Sequence, residues 1–201
     1  MNNIDYFSLA ISDIQNIFIN TIKELENKKL LVNKNTIILA LPNESVEKYL
    51  DIKDFNYNLI ICTPNSLDPI ILNKAFDANI EIILTPFNLP YETVIDMASD
   101  MVLEMDNAYF LDLFKNNEYI KTCYNYSKNN KDIFKDYNVF IFPSNMYPLA
   151  LGMYRYYNVL TDALVYIYKE KLINIDEVRY IEDIDNFLNE YSNDNKIIIF
   201  E

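Results

Sequence analysis

The sequence predicts an α/β fold: a three-layer sandwich in which a mostly parallel five-stranded sheet carries helices on both faces. Three observations predict it. Short aliphatic runs recur at residues 36–41 (TIILAL), 59–63 (LIICT) and 81–85 (EIILT). Each is followed by a proline in a turn: Pro42, Pro64 and Pro86. A helical pattern comes after each turn. Near-continuous apolar runs suit strands buried on both faces of a parallel sheet. Their alternation with helices suits βα units joined by right-handed crossovers.

The elements follow in order. Residues 4–28 set Phe7, Ile11, Ile14, Phe18, Ile22 and Leu25 three or four apart, the apolar stripe of a helix. Residues 33–35 read as a turn before the first strand, 36–41. Residues 44–50 predict a short helix with Asn43 as its N-cap. The second strand, 59–63, leads to a helix capped by Ser66 or Asp68, with Pro69 in its first turn. Residues 91–99 predict a helix after the third strand, and 101–105 (MVLEM) a fourth strand.

Residues 107–137 mix aromatics with Asn and Lys and predict one or two helices and a loop. Residues 139–142 (VFIF) form a fifth strand ended by Pro143. A long helix is expected over 147–171, with Leu149, Met153, Tyr156, Leu160, Leu164 and Ile167 along one side. Residues 176–191 predict a last helix, and 196–200 (KIIIF) a final strand at a sheet edge. No repeat or linker divides the chain. Residues 1–201 are therefore expected to form a single domain, with 172–201 a helix-plus-strand extension.

Composition bounds the function. Hydrophobic residues make up 51% of the 201, enough for a sizeable core. Asp and Glu number 30 against 17 Lys and Arg, a formal net charge of −13. So acidic a surface repels nucleic acid and anionic lipid, and neither is expected as a partner. No apolar run reaches the roughly 18 residues of a membrane helix. Residues 1–7 include Asp5 and no basic segment leading a hydrophobic core, so no secretory signal is expected. Cys62 and Cys123 form neither a disulfide framework nor a zinc site, and Cys62 reads as a small core residue. A cytoplasmic location is expected.

Missing residue types narrow the chemistry further. The chain has no His, which excludes Ser-His-Asp, Cys-His and His-ligated zinc chemistry. Its one glycine, Gly152, excludes a Walker loop and a dinucleotide fingerprint. No cofactor and no metal are expected. The charged groups around Lys53 and at Glu182, Asp183 and Asp185 read as solvated faces, and no acidic cluster has calcium-loop spacing.

The candidate site comes from topology. Ligands of open α/β sheets bind beyond the carboxyl ends of the strands. Those ends carry Asn43, then Thr63, Asn65 and Ser66, then Thr85 and Asn88, and finally Ser144 and Asn145. Each group adjoins an expected helix N-terminus, where free N–H groups and the helix dipole favour an anion. An anion is expected between the 63–66 turn and the 144–145 turn, with Thr85 and Asn88 beside it and Arg155 a weaker candidate clamp. The plainer reading is that Ser66, Asn88 and Ser144 only cap helices.

The order of these pieces resembles the sugar isomerase (SIS) domain. Residues 58–88 look like its phosphosugar loop, helix and following strand. Residues 98–104 (ASDMVLE) look like the Ala-Asp-x-Val-Leu segment after it, and 148–169 are similar to its late helix. The resemblance implies a phosphosugar or related small anion as ligand. It also implies Glu44 as the base of an aldose–ketose isomerase, and pairing into a homodimer. Cys62 to Ser66 lacks the glycine of the family loop, and proton-transferring His is impossible here. The expectation is thus a non-catalytic SIS-like sensor or regulator. A phosphosugar isomerase is the first alternative, and a structural or interaction protein with a vestigial pocket the second. The homodimer rests also on the apolar stripes at 4–28 and 147–171 and on Tyr154, Tyr156, Tyr157, Tyr166 and Tyr168, since Tyr suits interfaces.

Overall fold

The computed structural model describes residues 3–53, 55–86, 89–161, 163–168, 178–191 and 195–201. The elements run β1 (Ile4–Phe7), α1 (Ile11–Asn27), β2 (Thr36–Ala40), α2 (Asn43–Val46), a 3-10 turn (Glu47–Tyr49), β3 (Asn58–Pro64), α3 (Pro69–Asp77), β4 (Glu81–Thr85), α4 (Tyr91–Glu104) and β5 (Ala108–Phe110). Then come α5 (Asn117–Asn129), α6 (Lys131–Phe134), β6 (Val139–Pro143), a 3-10 turn (Ser144–Met146), α7 (Tyr147–Thr161), β7 (Leu164–Tyr168), β8 (Arg179–Ile181), α8 (Ile184–Tyr191) and β9 (Ile197–Phe200). The α/β class holds: the sheets are parallel in every described pairing, and helices cover both faces. The strands divide between two sheets where one had been expected. One has the order β1-β9-β6-β7-β8, the other β4-β3-β2-β5. They belong to two compact units, residues 1–13 with 117–201, and residues 14–116.

In the 14–116 unit, β2 is buried along its whole length, with Ile37, Ile38 and Leu39 fully enclosed. That is why its sequence is continuously apolar rather than alternating. α1 turns Ile14, Ile17, Phe18, Ile22 and Leu25 inward. Phe18 meets Tyr49 edge-on, with ring centres 5.5 Å apart. α3 begins where the sequence places it. Asp68 accepts a hydrogen bond from the Ile70 amide at 2.8 Å, and Pro69 occupies the first turn, where its missing N–H costs nothing.

In the other unit, β6 shows how alternation builds three layers. Val139 and Ile141 point one way and pack with Tyr166, Ile197 and Ile199, under Ile184, Phe187, Leu188 and Tyr191 of α8. Phe140 and Phe142 point the other way. Phe142 stacks on Phe200 at 4.0 Å and Phe140 on Tyr157 of α7 at 5.0 Å. Phe134 of α6 closes that cluster against Phe7 and Phe200.

Several element assignments are corrected. Residues 4–28 are not one helix: Ile4–Phe7 is a strand paired with Ile197–Phe200. Phe7 fell on the helical stripe by chance of spacing and packs instead with Phe134 and Phe200. Residues 101–104 continue α4, whose inner face is Val94, Ile95 and Ala98. The strand expected there is β5, three residues further on. The long helix stops at Thr161, and Tyr166 and Tyr168 lie on β7. Residues 169–171 of that expected helix, and 176–177 of the last one, fall outside the described residues. Arg179–Ile181 is a strand, not helix. β9 is no edge strand. It lies between β1 and β6, and all four of its residues are buried.

The grounds for a homodimer also go. Ile14, Phe18, Ile22 and Leu25 of the α1 stripe and Tyr147, Leu149, Leu151, Met153, Tyr156 and Tyr157 of α7 are buried within the chain itself, which leaves only Ile11 and Leu160 of the two stripes exposed among the described residues. Among the described residues, no helix is long and apolar enough to cross a membrane.

Candidate functional site

The carboxyl ends of β4, β3, β2 and β5 lie side by side in the 14–116 unit, because these neighbours are all parallel. Three side chains from two of these ends join directly. The Thr63 hydroxyl donates to Asn43 Oδ1 at 2.8 Å. The Asn43 amide donates to Ser66 Oγ. Thr85, buried at the end of β4, reaches the Thr63 carbonyl at 3.4 Å. Asn43 is thus a hub between β2 and β3. It sits inside α2, whose N-cap is Pro42 with no side-chain bond, so Asn43 is not the cap. Nor does Ser66 cap α3, since Asp68 does. Both side chains are thereby free of the capping role and turned toward each other.

Around this cluster, Glu44, Asn65 and Ser66 are exposed and Thr63 is fully buried. Two further residues complete the strand ends. Tyr91, the first residue of α4, donates its hydroxyl to the Ala40 carbonyl at 2.7 Å, which ties the end of β2 to α4. Asp112 follows β5. It accepts from the amides of Phe114 at 2.9 Å and Lys115 at 3.3 Å. Burial raises its carboxyl above the ordinary value, against the lowering effect of those amides and of Lys115. Burial first, then Asp112, pushes the Tyr91 phenol well up, so it stays a donor.

Sequence reasoning missed Tyr91 and Asp112. Asp112 was missed because β5 is only three residues long and the strand had been set at 101–105. The signal was there in Asp112-Leu113-Phe114-Lys115, an Asp turn directly after an apolar triplet.

The expected residues are divided between the two units. Asn43, Thr63, Ser66 and Thr85 form the bonded cluster, with Asn65 and Glu44 on its exposed turns. Ser144 and Asn145 belong to the other unit, in the 3-10 turn after β6, where Pro143 and not Ser144 holds the N-cap position. Asn88 lies outside the described residues. Arg155 is on the exposed side of α7. Among the described residues, no group of three or more metal-ligating side chains is placed to hold a metal ion.

No family model matches the chain, and no curated protein matches it. Solved structures do. A hydrogen sulfide-producing enzyme captured with an α-aminoacrylate intermediate superposes with a TM-score of 0.73 at 10% identity, over 92% of this chain and 75% of that one. An O-ureido-L-serine synthase gives 0.70 at 9% identity, over 98% and 83%. An O-acetylserine sulfhydrylase from Entamoeba histolytica gives 0.68 at 10%, over 100% and 80%. At such identities the likeness establishes the fold.

It overturns the SIS resemblance, and with it the phosphosugar ligand, the sensor reading, the isomerase alternative and the vestigial-pocket alternative. The physical reason lies in the segments that carried the resemblance. Residues 98–104 are helix rather than strand, and 148–169 include the β7 strand. What remained was the rhythm of βα units, which many parallel folds share.

Proposed function

We propose that the protein binds a small amino acid of the serine-derivative class at the carboxyl ends of β2 and β3. The observation that carries this reading is the Asn43–Thr63–Ser66 cluster, polar side chains converging at strand ends in a fold whose solved relatives act on serine derivatives. An amino acid needs donors for its carboxylate and a counter-charge for its ammonium. Asn43, Asn65 and Ser66 supply amide and hydroxyl donors on the open side. Glu44, exposed on the first turn of α2, supplies the negative charge. The acidic surface opposes a net anion but tolerates a zwitterion. Cys62 and Cys123 are free, buried thiols, and we place the protein in the reducing cytoplasm.

Thermal denaturation with O-acetyl-L-serine, L-serine and L-cysteine tests the reading, with the D-enantiomers and fructose 6-phosphate as contrasts. Ligand stabilisation rises with concentration over affinity, about 2.7 kcal/mol at a hundredfold excess over Kd. An L-selective rise in Tm that Asn43→Ala abolishes is expected. No shift with any amino acid, or equal shifts with both enantiomers, overturns it.

A further inference from the structure

Elimination and replacement at serine derivatives is chemistry that pyridoxal phosphate ordinarily supplies. It is held as a Schiff base on a lysine amine, with its phosphate on backbone N–H groups at a glycine-rich turn or helix N-terminus. The residues here do not fit that group. Pro42, Pro64, Pro86 and Pro143 follow or close β2, β3, β4 and β6, and each removes one backbone donor from its strand end. The one glycine, Gly152, lies in α7 against the backbone of Cys123 and opens no turn for close approach. At the ends of β2 and β3, the Asn43, Thr63 and Ser66 side chains bond to one another.

Among the described residues every lysine is exposed except Lys34 and Lys48. Lys34 donates to the Asp106 carbonyl at 2.7 Å, on the amino side of β2. Lys48 lies in the 3-10 turn after α2.

Resting on the amino-acid reading above, we propose that this chain takes its ligand as a non-covalent complex and does not carry pyridoxal phosphate. The test mixes the full chain with pyridoxal phosphate and reduces with borohydride. Any imine formed from a lysine amine and the aldehyde, with loss of water, gains hydride and becomes a stable secondary amine. Intact mass and peptide mapping then locate the label.

Label well below one per chain, spread over exposed lysines and no greater than in urea-unfolded protein, is expected. One label per chain on a single lysine, dependent on the native fold, overturns the proposal, whether it falls on Lys48 or on Lys169 or Lys171 outside the described residues. The outcomes separate from those of the amino-acid reading. L-selective stabilisation with such a native label sinks only the cofactor claim. Neither stabilisation nor native label sinks the amino-acid reading and the non-covalent complex with it, and leaves standing the claim that the chain does not carry pyridoxal phosphate.

Discussion

Gly152 of α7 faces Cys123 of α5 so closely that a Cβ on the glycine would meet the Cys123 Cβ and carbonyl carbon at 2.7 Å. The obstacle includes backbone, which cannot rotate aside. Alanine is the better helix former by about 1 kcal/mol. Overpacking costs roughly 1–3 kcal/mol. Gly152→Ala is therefore expected to destabilise the protein despite its higher propensity, read as a fall in Tm and in the urea midpoint. A rise in Tm would show that the two helices separate freely.

The Asn43 hub makes a second prediction. Thr63→Val keeps the shape of a fully buried side chain but removes the hydroxyl that donates to Asn43. Stability is expected to fall by about 1 kcal/mol, the net worth of one such bond. Ser66→Ala removes an exposed partner of Asn43, and is expected to weaken amino-acid binding by a similar amount with little change in the urea midpoint. Because both partners act through Asn43, the double variant should deviate from additivity. Strict additivity would argue that the cluster is not one unit.

Asp112 sets a pH dependence. Its folded-state carboxyl titrates above its ordinary value of 3.8 because burial penalises the charge. A raised acid favours the fold below the unfolded pKa and loses that contribution as pH rises through the folded one. Asp112→Asn keeps an oxygen to accept from the Phe114 amide and removes the buried charge. The variant is expected to gain stability relative to the native chain at pH 7, and to lose that advantage near pH 4. Chemical denaturation at the two pH values checks it. An equal difference at both would mean that folding leaves the Asp112 pKa unchanged.

The thiols provide a fourth test. Burial pushes Cys62 up to about 12, and Cys123 higher still. Thiolate is the reactive form. Neither cysteine should be alkylated by iodoacetamide at pH 8 in the native protein, and both should react in urea. Prompt native labelling of Cys62 would mean that the end of β3 opens.

Strands buried on both faces were legible in the sequence. TIILA and LIIC are buried throughout because neither side of them meets water, whereas EIILT, read the same way, is an edge strand with Glu81 and Leu84 exposed. Short or marginal strands were not. AYF of β5 offers three residues, too few to show a period. LVYIY of β7 extended a stripe begun in α7, since Leu160, Leu164 and Ile167 keep helical spacing across the helix end. IDYF of β1 has two exposed residues and is a strand only because it pairs with β9. In the candidate site, Asn43, Thr63, Ser66 and Thr85 could be named from turn positions. Asp112 carries only the weaker signal of an Asp turn, because the strand before it is too short to stand out.

By itself, then, the sequence determined the α/β class, the proline-closed strand ends and the chemistry ruled out by the lack of His and the single glycine. These follow from local periodicity and composition, which each segment carries alone. Only the tertiary structure decided which strands share a sheet, that Asn43 meets both Thr63 and Ser66, and that Asp112 stands at the same sheet end. Parallel pairing joins residues as distant as Ile4 and Ile197. Its register is set by the packing of both faces at once, which no single stretch of sequence records.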